Sequence, residues 1–108
     1  MSAIAAVSSD NFEVEVVGSE SPVVVDFWAE WCPPCRALAP VLESVAGQFS
    51  GRLKVFKCDV DTNEELAARY GAMRIPNLIF FKDGQVVDQT VGFLNEIELT
   101  ARFERVLA

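Results

Sequence analysis

The sequence contains no histidine, and this absence removes several kinds of chemistry at once. Without an imidazole, neither a Ser-His nor a Cys-His nucleophile pair can form, and no histidine can bind a metal. The chain has only three cysteines. Because structural zinc sites usually have four Cys or His ligands, three thiols alone make zinc a disfavoured explanation for the cysteines.

Positive charge is also scarce. The chain has 9 Lys and Arg residues against 16 Asp and Glu residues, which gives a net charge of −7. Such a protein repels phosphate backbones and anionic lipid headgroups, so we expect neither a nucleic-acid nor a membrane-surface partner. No apolar run approaches the length of a transmembrane span, and the amino terminus lacks the basic region and long apolar run of a secretory signal. We therefore expect a cytoplasmic protein.

The length and composition are typical of one compact domain. The chain has 108 residues, of which 51% are hydrophobic, enough to build one core without disulfide staples. No internal repeat, low-complexity tract or long linker interrupts the sequence. We expect a single domain that spans residues 1–108.

The hydrophobic pattern predicts an α/β protein with the element order β-α-β-α-β-α-β-β-α. The predicted strands cover residues 3–7, 23–29, 53–60, 77–81 and 86–92. The predicted helices begin after Ser8 or Ser9, near Pro34, at a capping box formed by Thr62 and Glu65, and at a second one formed by Asn95 and Glu98. Residues 23–29 are almost continuously apolar, which indicates a strand covered by helices on both faces. Asp83 and Gly84 favour a hairpin turn with positive φ angles.

Two cysteines stand three positions apart in the stretch WCPPCR, residues 31–36, with Pro33 and Pro34 between them. A structural disulfide is disfavoured, because so short a loop removes little entropy from the unfolded chain and the cytosol would keep the thiols reduced. The remaining interpretation is a redox-active dithiol, which alternates between two free thiols and a disulfide during a reaction. Cys58 lies in an apolar strand and is interpreted as a core residue.

The position of Cys32 just before a helix predicts a reactive thiol. Unpaired N–H groups at the helix start and the nearby Arg36 both favour a thiolate, so we expect Cys32 to be an accessible nucleophile. Cys35 lies one turn further on, where we expect it to be buried and able to attack a mixed disulfide. Pro33 and Pro34 stiffen the loop and remove two N–H donors, which predicts an effect on the redox equilibrium.

Asp26 is an acid in the middle of a buried apolar strand, where an unpaired charge costs several kcal/mol. It is either a structural acid neutralised by Lys57 on the next strand, or a carboxyl with a raised pKa that exchanges a proton with Cys35 during the reaction. We favour the second interpretation, because perturbed acids cluster at reactive sites. Trp31 has no alternating pattern to bury it and is expected to form an exposed wall of a substrate surface.

These motifs together resemble the thioredoxin family. In chain order they are Asp26 with FWAEWCPPCR, the helix proline Pro40, KCDVD with Lys57, RIPN with Ile75 and Pro76, the FKDGQ turn, and VGF with Gly92. The resemblance covers essentially all 108 residues. It implies the thioredoxin fold, with a central mixed five-stranded sheet flanked by four helices and a cis peptide bond between Ile75 and Pro76.

The resemblance also implies the reaction and its partners. Members of this family reduce protein disulfides through attack by Cys32 and resolution by Cys35. They bind no cofactor and receive electrons from NADPH through a thioredoxin reductase. We accordingly expect a monomer that meets the reductase and disulfide-containing proteins. The implied substrate surface consists of Trp31, Arg74, Ile75, Pro76, Gly92 and Phe93.

Three residues depart from the usual pattern of the family. Pro33 stands in place of glycine, Arg74 in place of a small residue, and Asn77 where threonine is frequent. These changes bear on partner choice and redox equilibrium more than on the reaction. Two alternative functions remain: a thiol oxidase or isomerase, and a non-catalytic subunit that uses the fold as a docking platform.

Overall fold

The computed structural model describes residues 4–108, which form a mixed five-stranded sheet with helices on both faces. The strands are β1 (Ala5–Ala6), β2 (Val23–Trp28), β3 (Lys54–Asp59), β4 (Asn77–Lys82) and β5 (Gln85–Val91). The helices are α1 (Pro33–Gln48), α2 (Glu64–Arg69) and α3 (Glu96–Leu107), and a π-helical segment (Glu13–Val17) precedes β2. The predicted α/β class and element order are confirmed.

The strand order in the sheet is β1-β3-β2-β4-β5. β3 runs parallel to both β1 and β2, whereas β4 is antiparallel to β2 and β5 is antiparallel to β4. The parallel crossover units therefore come first and the hairpin follows, as the pattern predicted. Within residues 4–108, no helix is both long and apolar enough to cross a membrane.

β2 occupies the centre of the sheet, and its residues 23–27 are all buried. Val25 and Phe27 belong to a core that includes side chains of the π-helical segment and α2. Val24 belongs to a second core, on the opposite face, with side chains of α1 and α3. Because successive strand residues point to opposite faces, the apolar run of β2 supplies both cores, which confirms that helices cover it on two sides.

The two α-helices that cover the second core begin at side-chain caps. In α1 the buried face includes Leu38, Leu42 and Val45, which lie at helical spacing. In α3 the Asn95 side chain accepts a hydrogen bond from the Glu98 N–H at 2.9 Å, and the Glu98 carboxylate accepts one from the Asn95 N–H at 3.0 Å. The predicted capping box at this helix is therefore confirmed.

The turn between β4 and β5 has the predicted positive φ angles, 53° at Asp83 and 77° at Gly84. At Gly84 a side chain would also collide with the fold, since an added Cβ would lie 2.7 Å from the Val17 carbonyl oxygen. Glycine is required there both for the turn and for close packing against the π-helical segment.

Two predicted boundaries need correction. The first strand is only Ala5–Ala6, and Ala3, where it was expected to start, lies outside the described residues. The expected capping box of Thr62 and Glu65 is wrong, because α2 begins after Asn63. The Asn63 side chain accepts a hydrogen bond from the Ser9 N–H at 3.0 Å and donates one to the Asp59 carbonyl at 3.0 Å. These longer-range bonds decide where α2 starts.

Candidate active site

The two cysteines of WCPPCR lie at the start of α1, directly after the loop that leaves β2. Cys32 is the residue that caps the helix, and Cys35 lies in its first turn. The two side chains form a disulfide, with the Cα atoms 5.2 Å apart. A helix brings residues three positions apart onto one face, so the spacing of the motif places both sulfurs together without distorting the helix.

The backbone around Cys32 favours negative charge on its sulfur. The Cys35 N–H donates a hydrogen bond to Cys32 Sγ at 3.3 Å, so the sulfur takes the place of the usual oxygen cap. The first turn of α1 contains no acidic residue, and Pro33 and Pro34 supply no N–H groups. The start of α1, with about half a unit of positive charge, is thus directed at this sulfur.

The burial of Cys32 differs from the prediction. Both Cys32 and Cys35 are 3% exposed, so the expected burial of Cys35 is confirmed, but the expected exposure of Cys32 is wrong for the disulfide form. Trp28, Val60 and Ile75 pack against the cysteine pair and cover it. The two cysteines are therefore equally buried. They differ in their positions, because Cys32 caps the helix and Cys35 lies in its first turn.

Arg36 does not contact the sulfur through its charged group in the described structure. Its guanidinium donates a hydrogen bond to the Glu30 carbonyl at 2.7 Å, and its N–H donates to the Cys32 carbonyl at 3.1 Å. Arg36 thus connects α1 to the loop before it.

Asp26 is 1% exposed in the centre of β2, and its Oδ1 atom has no hydrogen-bond partner among the described residues. Burial raises the pKa of this carboxyl to about 7, although the positive charge of Lys57 acts in the opposite direction. A group with this pKa exchanges protons near neutral pH, whereas an ordinary carboxyl stays ionised.

Lys57 lies opposite Asp26 in the β2–β3 register, but no ion pair joins the two side chains in the part of the chain that is described. The Lys57 ammonium instead lies 5.1 Å from the centroid of the Trp28 ring. It also borders a cleft of about 390 Å³. The interpretation of Asp26 as an acid neutralised by a direct Lys57 ion pair is therefore not supported. Trp28 connects this region to the active-site loop, since it also packs against the cluster formed by Ala29, Cys32 and Cys35.

The Ile75–Pro76 peptide bond is cis, as the resemblance implies. The Ile75 carbonyl oxygen lies 3.9 Å from Cys32 Sγ, and the Pro76 carbonyl accepts a hydrogen bond from the Gly92 N–H at 2.8 Å. The Ile75 carbonyl is thereby placed beside Cys32, and Gly92, from a later part of the chain, is joined to the neighbouring Pro76. Pro76 itself is buried, so in the disulfide form its ring is not an exposed part of the expected contact surface.

Trp31 is 64% exposed, which confirms the expectation from its sequence context. Its indole N–H donates a hydrogen bond to the Asp61 carboxylate at 2.8 Å. Trp31 and Ile75 line a groove of about 490 Å³, to which Val60 and the exposed Met73 also contribute. Phe93 and Arg74 are exposed but do not line this groove.

The thioredoxin family model matches residues 3–105 of this chain. The chain belongs to the thioredoxin family. Thioredoxin 1 of Nostoc sp. is 46% identical over 107 residues, covering 99% of this chain and 100% of that protein. The thioredoxin of Pseudomonas aeruginosa is 45% identical over 98 residues, covering 91% of each chain. The chloroplastic M-type thioredoxin of Pisum sativum is 36% identical over 104 residues, covering 96% of this chain and 60% of that protein.

Thioredoxins are thiol-disulfide oxidoreductases that act on disulfide substrates and generally hold no bound cofactor. This thioredoxin accordingly reduces protein disulfides by thiol-disulfide exchange, and Cys32 and Cys35 are its redox-active pair. Cys58 differs from the pair. It is fully buried, and burial raises the pKa of its thiol to about 11, with Asp59 acting in the same direction. This agrees with its interpretation as a core residue.

Sequence reasoning missed two features of the site of this thioredoxin. Met73 is 72% exposed at the edge of the groove, and its position two residues before Ile75 was the available signal. Asp61 holds the Trp31 ring, but the pair is 30 residues apart and no local pattern indicates it.

Proposed function

We propose that Cys32 is the nucleophile of this thioredoxin and that Cys35 is the resolving thiol. The observation that carries this assignment is the hydrogen bond from the Cys35 N–H to Cys32 Sγ at the start of α1. A negative sulfur is stabilised at that position, whereas Cys35, within the helix, lacks the same environment.

In the reduced protein the Cys32 thiolate attacks one sulfur of a substrate disulfide. This step forms a mixed disulfide and releases the second substrate sulfur as a thiolate, which takes up a proton. Cys35 then loses its proton and attacks Cys32 Sγ, closing the Cys32–Cys35 bond and releasing the first substrate thiol. Two electrons thereby pass from the protein to the substrate.

Asp26 is proposed to exchange the proton of Cys35 during this second attack. Its pKa of about 7 allows it to hold or release a proton near neutrality, and its strand leads directly into the loop that carries the cysteines. Lys57 is proposed to limit how far that pKa rises, because its positive charge favours the ionised carboxyl. Water is the natural carrier between a buried carboxyl and a thiol that it does not touch.

The substrate chain is proposed to bind across the exposed Trp31 and the segment that carries Arg74, Ile75 and Pro76. Gly92 and Phe93 extend this surface, since Gly92 is hydrogen-bonded to Pro76 and Phe93 is 48% exposed. Ile75 is the central residue, because its carbonyl lies 3.9 Å from Cys32 Sγ.

Pro33, Pro34 and Arg36 are proposed to set the redox equilibrium. The two prolines restrict the loop and supply no N–H groups to the thiolate, and Arg36 bonds the loop carbonyl of Glu30. The prolines and the Arg36 hydrogen bond are proposed to change the free energies of the reduced and oxidised forms by different amounts, which shifts the redox equilibrium.

We further propose that residues 1–108 form one domain that acts as a monomer in the cytoplasm. The net charge of −7 opposes self-association. The electrons are proposed to come from NADPH through a thioredoxin reductase, with no cofactor bound to this chain. Turnover of the purified protein by an NADPH-dependent reductase tests this route.

The assignment of the two cysteines is tested by insulin reduction with dithiothreitol as electron donor. We expect Cys32→Ser and Cys35→Ser each to reduce the rate by roughly a thousandfold or more, because each variant removes an obligatory sulfur. In a single turnover, Cys35→Ser should hold the substrate as a mixed disulfide on Cys32, visible by mass spectrometry. A mixed disulfide formed instead by Cys32→Ser through Cys35 would reverse the assignment.

A further inference from the structure

Asn77 is a buried polar residue that the reaction described above does not use. It is the first residue of β4, directly after Pro76, and it is 1% exposed. In the sheet it lies between Phe27 of β2 and Val91 of β5. A buried amide costs free energy unless its polar atoms are hydrogen-bonded, so the partners of Asn77 indicate its role.

Both ends of the Asn77 amide are engaged. Its Nδ2 donates a hydrogen bond to the Arg74 carbonyl at 3.1 Å, and its Oδ1 accepts one from Gln89 Nε2 at 2.9 Å. Because a carbonyl can only accept, the bond to Arg74 fixes which end of the amide is the nitrogen. Gln89 on β5 then holds the other end, so the amide is restrained from both sides.

The carbonyls on both sides of Ile75 are therefore occupied. Asn77 binds the carbonyl of Arg74, and the Gly92 N–H binds the carbonyl of Pro76. Among residues 4–108, none hydrogen-bonds to the Ile75 N–H. The Ile75 carbonyl lies 3.9 Å from Cys32 Sγ. Ile75 is thus the residue of this segment whose backbone is available to an incoming chain beside the sulfur.

The bond from Asn77 also determines the direction of the Ile75 N–H. The Arg74 carbonyl and the Ile75 N–H belong to one trans peptide group, which is planar, so the two bonds point in opposite directions. When the Asn77 amide holds the carbonyl inward, it turns the N–H away from the interior.

We propose that Asn77 is a positioning residue that orients the Arg74–Ile75 peptide, with Gln89 holding Asn77 in place, so that Ile75 presents its N–H to the main chain of a protein substrate. This inference rests on the proposed substrate surface at Ile75. It concerns substrates with a peptide backbone, because a main-chain carbonyl next to the substrate cysteine can accept a hydrogen bond from the Ile75 N–H while the disulfide lies at Cys32.

The test compares two disulfides that differ in this respect. Pre-reduced protein is mixed in single turnovers with insulin, or with 4,4′-dithiodipyridine, an aromatic disulfide without peptide groups or oxygen acceptors. For Asn77→Leu, which is similar in size but cannot donate, we expect the second-order rate constant with insulin to fall roughly three- to tenfold, as for the loss of one neutral hydrogen bond. The rate constant with the aromatic disulfide should change by less than about twofold.

Gln89→Met provides a second variant at an exposed position, where folding is not at risk. It keeps the length of the side chain but removes the donor to Asn77, so we expect a loss of roughly threefold with insulin alone. Asn95→Ala serves as the matched control, because it removes a helix cap far from the cysteines in sequence and tests whether lower stability by itself slows the reaction.

The outcomes are distinct. If Asn77→Leu and Gln89→Met reduce both disulfides at the unaltered rate, or lose the same factor with both, the positioning role is wrong. It is also wrong if Asn95→Ala shows the same selective loss with insulin. If the unmodified protein does not reduce insulin, the proposed function itself fails.

Discussion

The starts of α1 and α3 share a geometry but differ in chemistry. In each, a side chain at the cap accepts a hydrogen bond from the N–H three residues on: Cys32 from Cys35 at 3.3 Å, and Asn95 from Glu98 at 2.9 Å. The first turn of α3 also contains two acidic residues, whereas the first turn of α1 contains none.

This difference separates a structural helix start from a reactive one. At α3, an amide cap and the nearby carboxylates compensate the positive end of the helix at all times. At α1, the group that can compensate the positive end of the helix is the Cys32 sulfur, which carries negative charge only after the disulfide opens. The interaction of negative charge with a helix start stabilises the folded helix at α3. At α1 the same interaction stabilises the Cys32 thiolate.

The largest expected effect concerns Asp26, since β2 places a buried carboxyl before α1 and no comparable group precedes α3. We expect Asp26→Asn to be more stable than the unmodified protein at about pH 8 by about 4 kcal/mol at most, the free energy that corresponds to a pKa raised from 3.8 to about 7. Between about pH 4 and about pH 7, Asp26 is protonated in the folded state but ionised in the unfolded state. The free energy of unfolding of the unmodified protein therefore falls as the pH rises through this range.

Urea unfolding of both proteins in the oxidised form, at about pH 4 and about pH 8, measures this effect. The difference in free energy of unfolding should be small at the lower pH and large at the higher one. Asp10→Asn, at an exposed position, is the matched control. A difference for Asp26→Asn that does not depend on pH would mean that the carboxyl is not perturbed by burial.

An intermediate effect is expected at the start of α3. Asn95→Ala removes the cap and breaks the reciprocal bond with Glu98, which should lower the free energy of unfolding by about 1 kcal/mol. Because this helix start takes no part in the reaction, the rate constant with the aromatic disulfide should stay unaltered. A change in that rate at unchanged protein concentration would contradict the separation between the two helix starts.

The smallest effect is expected when α1 is made to resemble α3. Pro34→Glu places an acid in the first turn of α1, where it competes with the Cys32 thiolate for the positive end of the helix. We expect the alkylation of reduced Cys32 by iodoacetamide at neutral pH to slow roughly two- to fivefold.

Pro34→Gln is the matched control for this experiment, since it removes the proline without adding charge. Equal rates of alkylation for the two variants would show that the proline and not the charge of the helix start controls the sulfur.

Features encoded by neighbouring residues were predicted well from the sequence. The apolar run of β2, the Asp83–Gly84 turn and the Asn95–Glu98 capping box each depend on residues within a few positions of one another. The boundary of α2 was not predicted, because Asn63 bonds to Ser9, which is 54 residues away.

In the site, too, features that depend on neighbouring residues were predicted, whereas those that depend on distant residues were not. The position of Cys32 and Cys35 at a helix start was predicted from Pro34 and from the helical spacing of the apolar residues that follow. The burial of Cys32 was not predicted, because Val60 and Ile75, which cover the pair, come from distant parts of the chain. The hydrogen bonds of Asn77 to Arg74 and Gln89 were likewise not predicted, since an isolated asparagine before an apolar strand gives no indication of its partners.

The sequence by itself therefore determined the elements and their order, which depend on local hydrophobic pattern. It also indicated the family and the reactive pair, through motifs that resemble those of thioredoxins. Only the tertiary structure decided that Cys32 is covered in the disulfide, that Asp26 lacks an ion pair with Lys57, and that the carbonyls on both sides of Ile75 are hydrogen-bonded. The physical reason is that burial and hydrogen-bond partners are set by segments that meet only when the sheet assembles.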